Sequence, residues 1–213
     1  MNDYETLVRI CKRDFDERQQ ALLAEVSKWN PIVLDGGTIV LPSEEKSQIA
    51  LVAHYDKVTG SYGYNDNGMS IVAILGLLGK LPKNVEVVFT NGEETGSTGA
   101  KEYIHKRGSD ISRCVNLDVC GYGDTLYMDR MNWTKNDGVE AVTGNMPWND
   151  GREFKINGIE SVCVSTSEGT DFRNGIHQIW KTIHNNDLDN RLDVLNFDVL
   201  EKVRNAVEQL VKA

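Results

Sequence analysis

Positive charge is scarce in this chain. Lys and Arg number 23 against 32 Asp and Glu over 213 residues, a formal net charge of −9, and the basic residues are scattered. Without a basic stripe nothing neutralises a phosphate backbone, so nucleic acid is excluded as an expected partner. Long apolar runs are also missing. None approaches the length of a membrane span, and no membrane partner is expected. Met1 to Glu5 offers neither a basic nor an apolar leader region, which predicts no signal peptide. Cysteine is sparse: Cys11, Cys114, Cys120 and Cys163 include no C-x-x-C pair. They read as reduced thiols acting as small buried hydrophobes in a cytoplasmic protein. Repeats, low-complexity tracts and linkers are absent, and 213 residues suffice for a substantial core. The expectation is one domain over residues 1–213, with residues 1–30 an N-terminal helical segment.

What is present is an alternation of strands and helices. Leu7, Val8, Phe15, Leu22, Leu23 and Val26 predict a helix over 4–28. Ile32–Leu34, Gly36-Gly37 and Thr38–Leu41 read as a hairpin. Ser47–Ala53, Val85–Thr90, Arg113–Val119, Thr125–Met128 and Ser161–Val164 read as strands, and Ile176–Ile183 as another. Met69–Leu78 is almost wholly apolar, so it predicts a helix buried against the sheet, with Asp66 as its cap. Thr98–Arg107 and Phe197–Val211 are further helices, and a short one is expected between Trp133 and Gly144. The alternation specifies an α/β fold.

Chemistry gathers where the strands end. The apolar run Ile49–Ala53 stops at His54-Tyr55-Asp56. Such a run suits a strand buried on both faces, and in open α/β sheets ligands bind past the carboxyl ends of the strands. A His-x-Asp pair suits a metal, with Asp56 fixing the tautomer of His54, although a structural hydrogen-bonded pair explains it as well. Val85–Thr90 runs into Glu93-Glu94, and Arg113–Leu117 into Asp118; Asp66 precedes the buried helix and His184 lies late in the chain. Carboxylates crowded on one sheet edge repel unless cations compensate. Two imidazoles and three carboxylates form a mixed N/O set suited to zinc, with cobalt or manganese as alternatives. If two ions bind, Asp66 can bridge them. His54 and Asp118 then complete one shell, and Glu94 and His184 the other. Glu93 is left over, and a free carboxylate beside a catalytic metal suits a general base.

The motifs His54-Tyr55-Asp56, Asn65-Asp66-Asn67-Gly68, Gly92-Glu93-Glu94-Thr95-Gly96, Asn116-Leu117-Asp118 and Ile183-His184 together resemble peptidase family M28. The resemblance runs from about Ile49 to the C-terminus. It implies a single-domain αβα sandwich with a mixed, centrally parallel sheet, and an aminopeptidase with a co-catalytic zinc pair. The substrate would be a peptide with a free N-terminus. It assigns His54, Asp66, Glu94, Asp118 and His184 as metal ligands, Glu93 as base, and Asp56 as the residue orienting His54. It also implies a cis Asp66–Asn67 peptide. Gly169-Thr170-Asp171-Phe172 and Gly175-Ile176-His177 depart from the family pattern, in a segment the resemblance places at the substrate pocket. Tyr62, Tyr64, Trp133, Trp148 and Trp180 are candidates for an apolar pocket, with core packing the default for each. His105 reads as a helix end, His177 as packing or pocket wall, and Asp187 and Asp189 as turn residues, with Asp187 also able to support His184. The rivals are a single-zinc glutaminyl-cyclase-like transferase and an M20-type amidohydrolase or deacylase. The latter usually carries an inserted domain for which there is no room.

Overall fold

Ile49, Leu51 and Ala53 pack into one apolar cluster while Ala50 and Val52 pack into another, and all five are buried. A strand that is apolar at every position needs cover on both faces, and the chain supplies it. The computed structural model describes residues 2–213. Its centre is one eight-stranded sheet in the order β1-β2-β4-β3-β5-β8-β6-β7. The strands are β1 (Ile32–Val33), β2 (Ile39–Leu41), β3 (Ile49–His54), β4 (Val85–Thr90), β5 (Arg113–Leu117), β6 (Thr125–Asp129), β7 (Val142–Thr143) and β8 (Glu160–Ser167). The inner four, β4, β3, β5 and β8, run parallel, and β2 and β6 flank them antiparallel.

One face is covered by α1 (Asp3–Ile10), α3 (Met69–Leu75) and α7 (Val199–Lys212), the other by α4 (Thr98–Arg107) and α5 (Asp150–Ile156). The αβα sandwich is therefore as expected. α3 is buried at all seven positions. No helix among the described residues is long and apolar enough to cross a membrane, and all four cysteines are buried and unpaired.

Four expectations are corrected. The single helix over 4–28 is two, α1 and α2 (Phe15–Val26). Asp14 caps α2 by accepting from the Glu17 N–H at 3.0 Å, a role that draws Asp out of helix interiors. The segment Ile176–Ile183 is not a strand. Residues 172–180 form α6 (Phe172–Trp180), capped by Asp171, which accepts from the Asn174 N–H. Ile176 and Ile179 then share one helical face. Residues 133–144 hold no helix, only the short β7. Finally, α3 has no side-chain cap; Asp66 faces two imidazoles instead. Helix α5 was not foreseen.

Candidate metal centre

His54 is the last residue of β3, and β4 and β5 flank that strand in parallel. Residues just past the ends of these strands therefore meet at one edge. His54 Nε2 lies 3.0 Å from Asp66 Oδ1 and 3.6 Å from Asp118 Oδ1. His184 Nε2 lies 3.2 Å from Asp66 Oδ2 and 3.2 Å from Glu94 Oε2. The two oxygens of Asp66 thus face different imidazoles, each accompanied by a second carboxylate. The five residues inferred from sequence as ligands all converge. The tightest grouping is His54, Asp66 and Glu94, whose ligand atoms lie within 4.8 Å of one another.

The backbone explains the convergence. The Asp66–Asn67 peptide is cis, as expected from the resemblance. Asn67 donates to the Leu117 carbonyl at 2.9 Å and accepts from the Val119 N–H at 3.0 Å, gripping both sides of Asp118. Asn65 accepts from the Gly121 N–H and donates to Thr182 Oγ1, two residues before His184. Val119 holds φ +57°, a costly conformation for a β-branched residue and one found where a site over-determines the chain. Asp189 accepts from the Asn185 and Asn190 N–H groups and sets the turn after His184, whereas Asp187 is exposed. His105 and His177 are exposed and stand apart from the cluster.

Asp56 has two tasks. Its carboxylate oxygens accept from the Glu93 and Glu94 N–H groups, each at 3.1 Å, while His54 Nδ1 is hydrogen-bonded to the Asp56 main-chain carbonyl at 3.2 Å and lies 3.4 Å from one carboxylate oxygen. It therefore orients the imidazole and also pins the turn bearing Glu93 and Glu94. The sequence indicated only the first task. That turn needs Gly92, at φ +84°, where a Cβ would strike Thr98 Oγ1.

The electrostatics are those of a site lacking positive charge. Burial opposes protonation of His54, but Asp118, Asp56 and Asp66 hold its pKa well above the usual value. Asp66 and Glu94 raise His184 to about 10. Asp66 is buried, yet the two imidazoles hold it well below the carboxylate range. Burial and the charges of Asp66 and Glu94 push Asp118 up, despite His54. Glu94 Oε1 is buried and has no hydrogen-bond partner. An orphaned carboxylate oxygen beside converging imidazoles fits a divalent cation with mixed N/O ligation.

A cleft open to solvent lies beside the cluster. Glu93 is among the residues that line it. Val119, Met146, Ile179, Ile183, Trp148 and Trp180 supply an apolar wall. Of the five aromatic candidates only Trp148 and Trp180 line this space. Trp133 is buried in the core, and Tyr62 and Tyr64 stack on each other at 5.0 Å between centroids. The segment expected at the pocket contributes Ile176; Trp148 was a candidate for this wall, while its neighbours Met146, Pro147 and Asn149 were not foreseen.

The model of peptidase family M28 matches residues 37–147, just over half of the chain. A vacuolar membrane protease of Candida tropicalis is 31% identical over 128 residues, which are 55% of this chain and 14% of that protein. One from Clavispora lusitaniae is 40% identical over 85 residues, 37% of this chain and 8% of that protein. The chain thus spans only a small part of the length of these relatives. Among solved structures, the LapA aminopeptidase of Legionella pneumophila matches with TM-score 0.78 at 14% identity, over 99% of this chain and 70% of that one. The zinc aminopeptidase BSAP of Bacillus subtilis matches with TM-score 0.67 at 20% identity, over 82% and 49%. A glutaminyl cyclase of Porphyromonas gingivalis matches with TM-score 0.72 at 16% identity, over 99% and 96%. At such identities the structures speak for the fold, and the sequence match speaks for the family: the chain belongs to peptidase family M28.

Proposed function

We propose that this chain is an aminopeptidase that uses a pair of zinc ions to remove the first residue of peptides with a free N-terminus. The observation carrying this reading is the division of Asp66, whose two oxygens serve two separate His-carboxylate sets. His54, Asp118 and Asp66 Oδ1 would hold one ion; His184, Glu94 and Asp66 Oδ2 would hold the other. When bound, zinc polarises an amide carbonyl and makes water a better nucleophile at neutral pH. Glu93 does the proton chemistry. Its carboxyl lines the cleft and is free of ligand contacts, so it takes the proton of the attacking water and passes it to the leaving amine. In the metal-free protein burial raises its pKa to about 9, with Asp118, Asp150 and Asp66 adding to the rise against His54. Cations in the cluster would bring that carboxyl back toward ionisation. Asp56 keeps His54 and the Glu93–Glu94 turn in register. The apolar wall favours a large apolar first side chain.

The rival reading is a single-zinc glutaminyl-cyclase-like transferase on the same fold. One experiment separates the two: zinc per chain, together with turnover of aminoacyl-anilides with and without chelator. About two zincs per chain and chelator-sensitive release from Leu- or Phe-anilide support the aminopeptidase. One zinc, with cyclisation of an N-terminal glutamine and no anilide release, would replace it.

A further inference from the structure

Met146 lines the apolar wall of the cleft, yet it belongs to no helix or strand. The pairing of β7 with β6 ends where the Gly144 N–H donates to the Met128 carbonyl at 3.2 Å. From there to Asn149, the cap of α5, residues 145–148 make no main-chain to main-chain hydrogen bond among the described residues. Two side chains take that place. Asp129, the last residue of β6, accepts from the Met146 N–H through Oδ2 at 3.0 Å. Arg152 of α5 donates from Nη2 to the Met146 carbonyl at 2.6 Å and to Asp129 Oδ2 at 2.9 Å. Both backbone polar groups of Met146 are thus held by one ion pair. Its carboxylate is buried and takes the Met131 N–H on the other oxygen, at 2.9 Å. Neither charged residue lines the cleft. So held, the Met146 side chain packs with Tyr127 and Cys163, with Ile176 against them. Cys163 is the register partner of Asp129 across β6 and β8, and it also lines the cleft.

Resting on the aminopeptidase reading, we propose that Asp129 and Arg152 are positioning residues for substrate choice: they fix Met146 against Cys163 and Ile176, so that the cleft takes a large apolar first side chain in preference to a small one. A main-chain segment outside helix and sheet must have its polar groups answered by side chains or water. An ion pair that answers both groups of one residue with charge-assisted bonds also fixes where that residue's side chain stands. In an apolar pocket one methylene is worth about tenfold or more in kcat/KM, so a wall free to shift loses discrimination before it loses chemistry.

The test uses the full chain with zinc bound and the variants Arg152→Met, Asp129→Asn, Met146→Ala and Arg152→Met with Met146→Ala. Two readouts are taken: kcat and KM on Leu-anilide and Ala-anilide, and amide exchange of residues 144–148. Arg152→Met should lower the Leu-to-Ala ratio of kcat/KM by about tenfold, with the loss in KM on Leu-anilide rather than in kcat. Exchange of the Met146 amide should quicken by about tenfold or more while β3 and β5 stay protected. Met146→Ala should lower the ratio as far, and the double variant should stay within about twofold of it, because the pair acts through Met146. Asp129→Asn turns one acceptor oxygen into a donor and leaves no cavity. It should show both changes in smaller measure, and decides the matter where Arg152→Met fails to fold. An unchanged ratio, effects that multiply in the double variant, or unchanged exchange at Met146 would overturn the proposal. Absence of anilide turnover in the unsubstituted protein would overturn the aminopeptidase reading instead, and the exchange readout would still show whether the pair holds Met146.

Discussion

Glu93 and Glu94 are neighbours with opposite surroundings. Glu94 points at His184, 3.2 Å away, while Glu93 faces the cleft without a partner. Replacing Glu93 by Gln keeps the shape and removes the base. The expected result is a fall in kcat of about 10²–10⁴-fold with zinc content unchanged. Unchanged turnover at full zinc would sink the role of Glu93. A buried acid elsewhere shows what a purely structural carboxylate looks like. Glu86 in β4 accepts from Ser47, from Tyr103 at 2.9 Å, and from Arg107 through two nitrogens at 2.8 and 2.6 Å. Burial raises its pKa, but these donors, Arg107 foremost, leave it below the usual value. Its contribution is therefore complete above the unfolded pKa near 4.5 and fades as pH falls. Glu86→Ala should cost about 2–4 kcal/mol in urea unfolding at pH 7, because Tyr103 and Arg107 lose their partner. The penalty should shrink toward pH 3.

At the scale of elements, the N-terminal helices matter more than their distance from the motifs suggests. Arg18 of α2 is buried and donates to three backbone carbonyls, Tyr55 at 2.5 Å, Tyr62 at 2.7 Å and Gly63 at 3.2 Å. It clamps the loop between His54 and Asp66 against the sheet. Arg18→Met keeps much of the apolar stem and removes the clamp. We expect a loss of about 2–4 kcal/mol in stability and weaker zinc binding in a chelator competition. A variant that unfolds earlier yet binds zinc as before would limit Arg18 to the core. This clamp was invisible in the sequence, since an Arg in an amphipathic helix usually snorkels to water. The helix α5 was missed for a related reason. Asn149-Asp150-Gly151 reads as a turn, yet Asn149 caps the helix by accepting from the Gly151 N–H.

For the whole molecule, the metal-free state should be a creature of pH. His184, raised to about 10 from 6.5, stabilises the fold fully below pH 6.5 and ceases to do so as pH rises through 10. Glu93, raised from 4.5 to about 9, acts in the same direction. Stability of chelated protein should therefore decline between about pH 6.5 and 10. Zinc binding requires neutral imidazole and ionised carboxylates and releases protons, so the rise in Tm on adding zinc should grow with pH over that range. Thermal unfolding of chelated and zinc-loaded protein at pH 6, 7.5 and 9 checks this, and a zinc-induced shift that shrinks with pH would contradict it.

The sequence by itself determined the inner strands, the buried α3, the amphipathic α7 and the five candidate ligands with Glu93. An apolar run is readable wherever it occurs, and His54, Glu93, Glu94 and Asp118 stand at or just past strand ends that must meet at one edge, whereas Asp66 and His184 are candidates through the motif resemblance. The tertiary structure alone decided the rest. Trp133 went to the core while Trp148 and Trp180 took the cleft; the helix over 172–180, by contrast, carries a local signal in its cap Asp171 that the strand reading overlooked. Arg18 and Asp150 gained their partners from segments 37 to 60 residues away. Local composition carries no trace of such contacts, since a buried polar group is defined by what folds over it rather than by its neighbours in the chain.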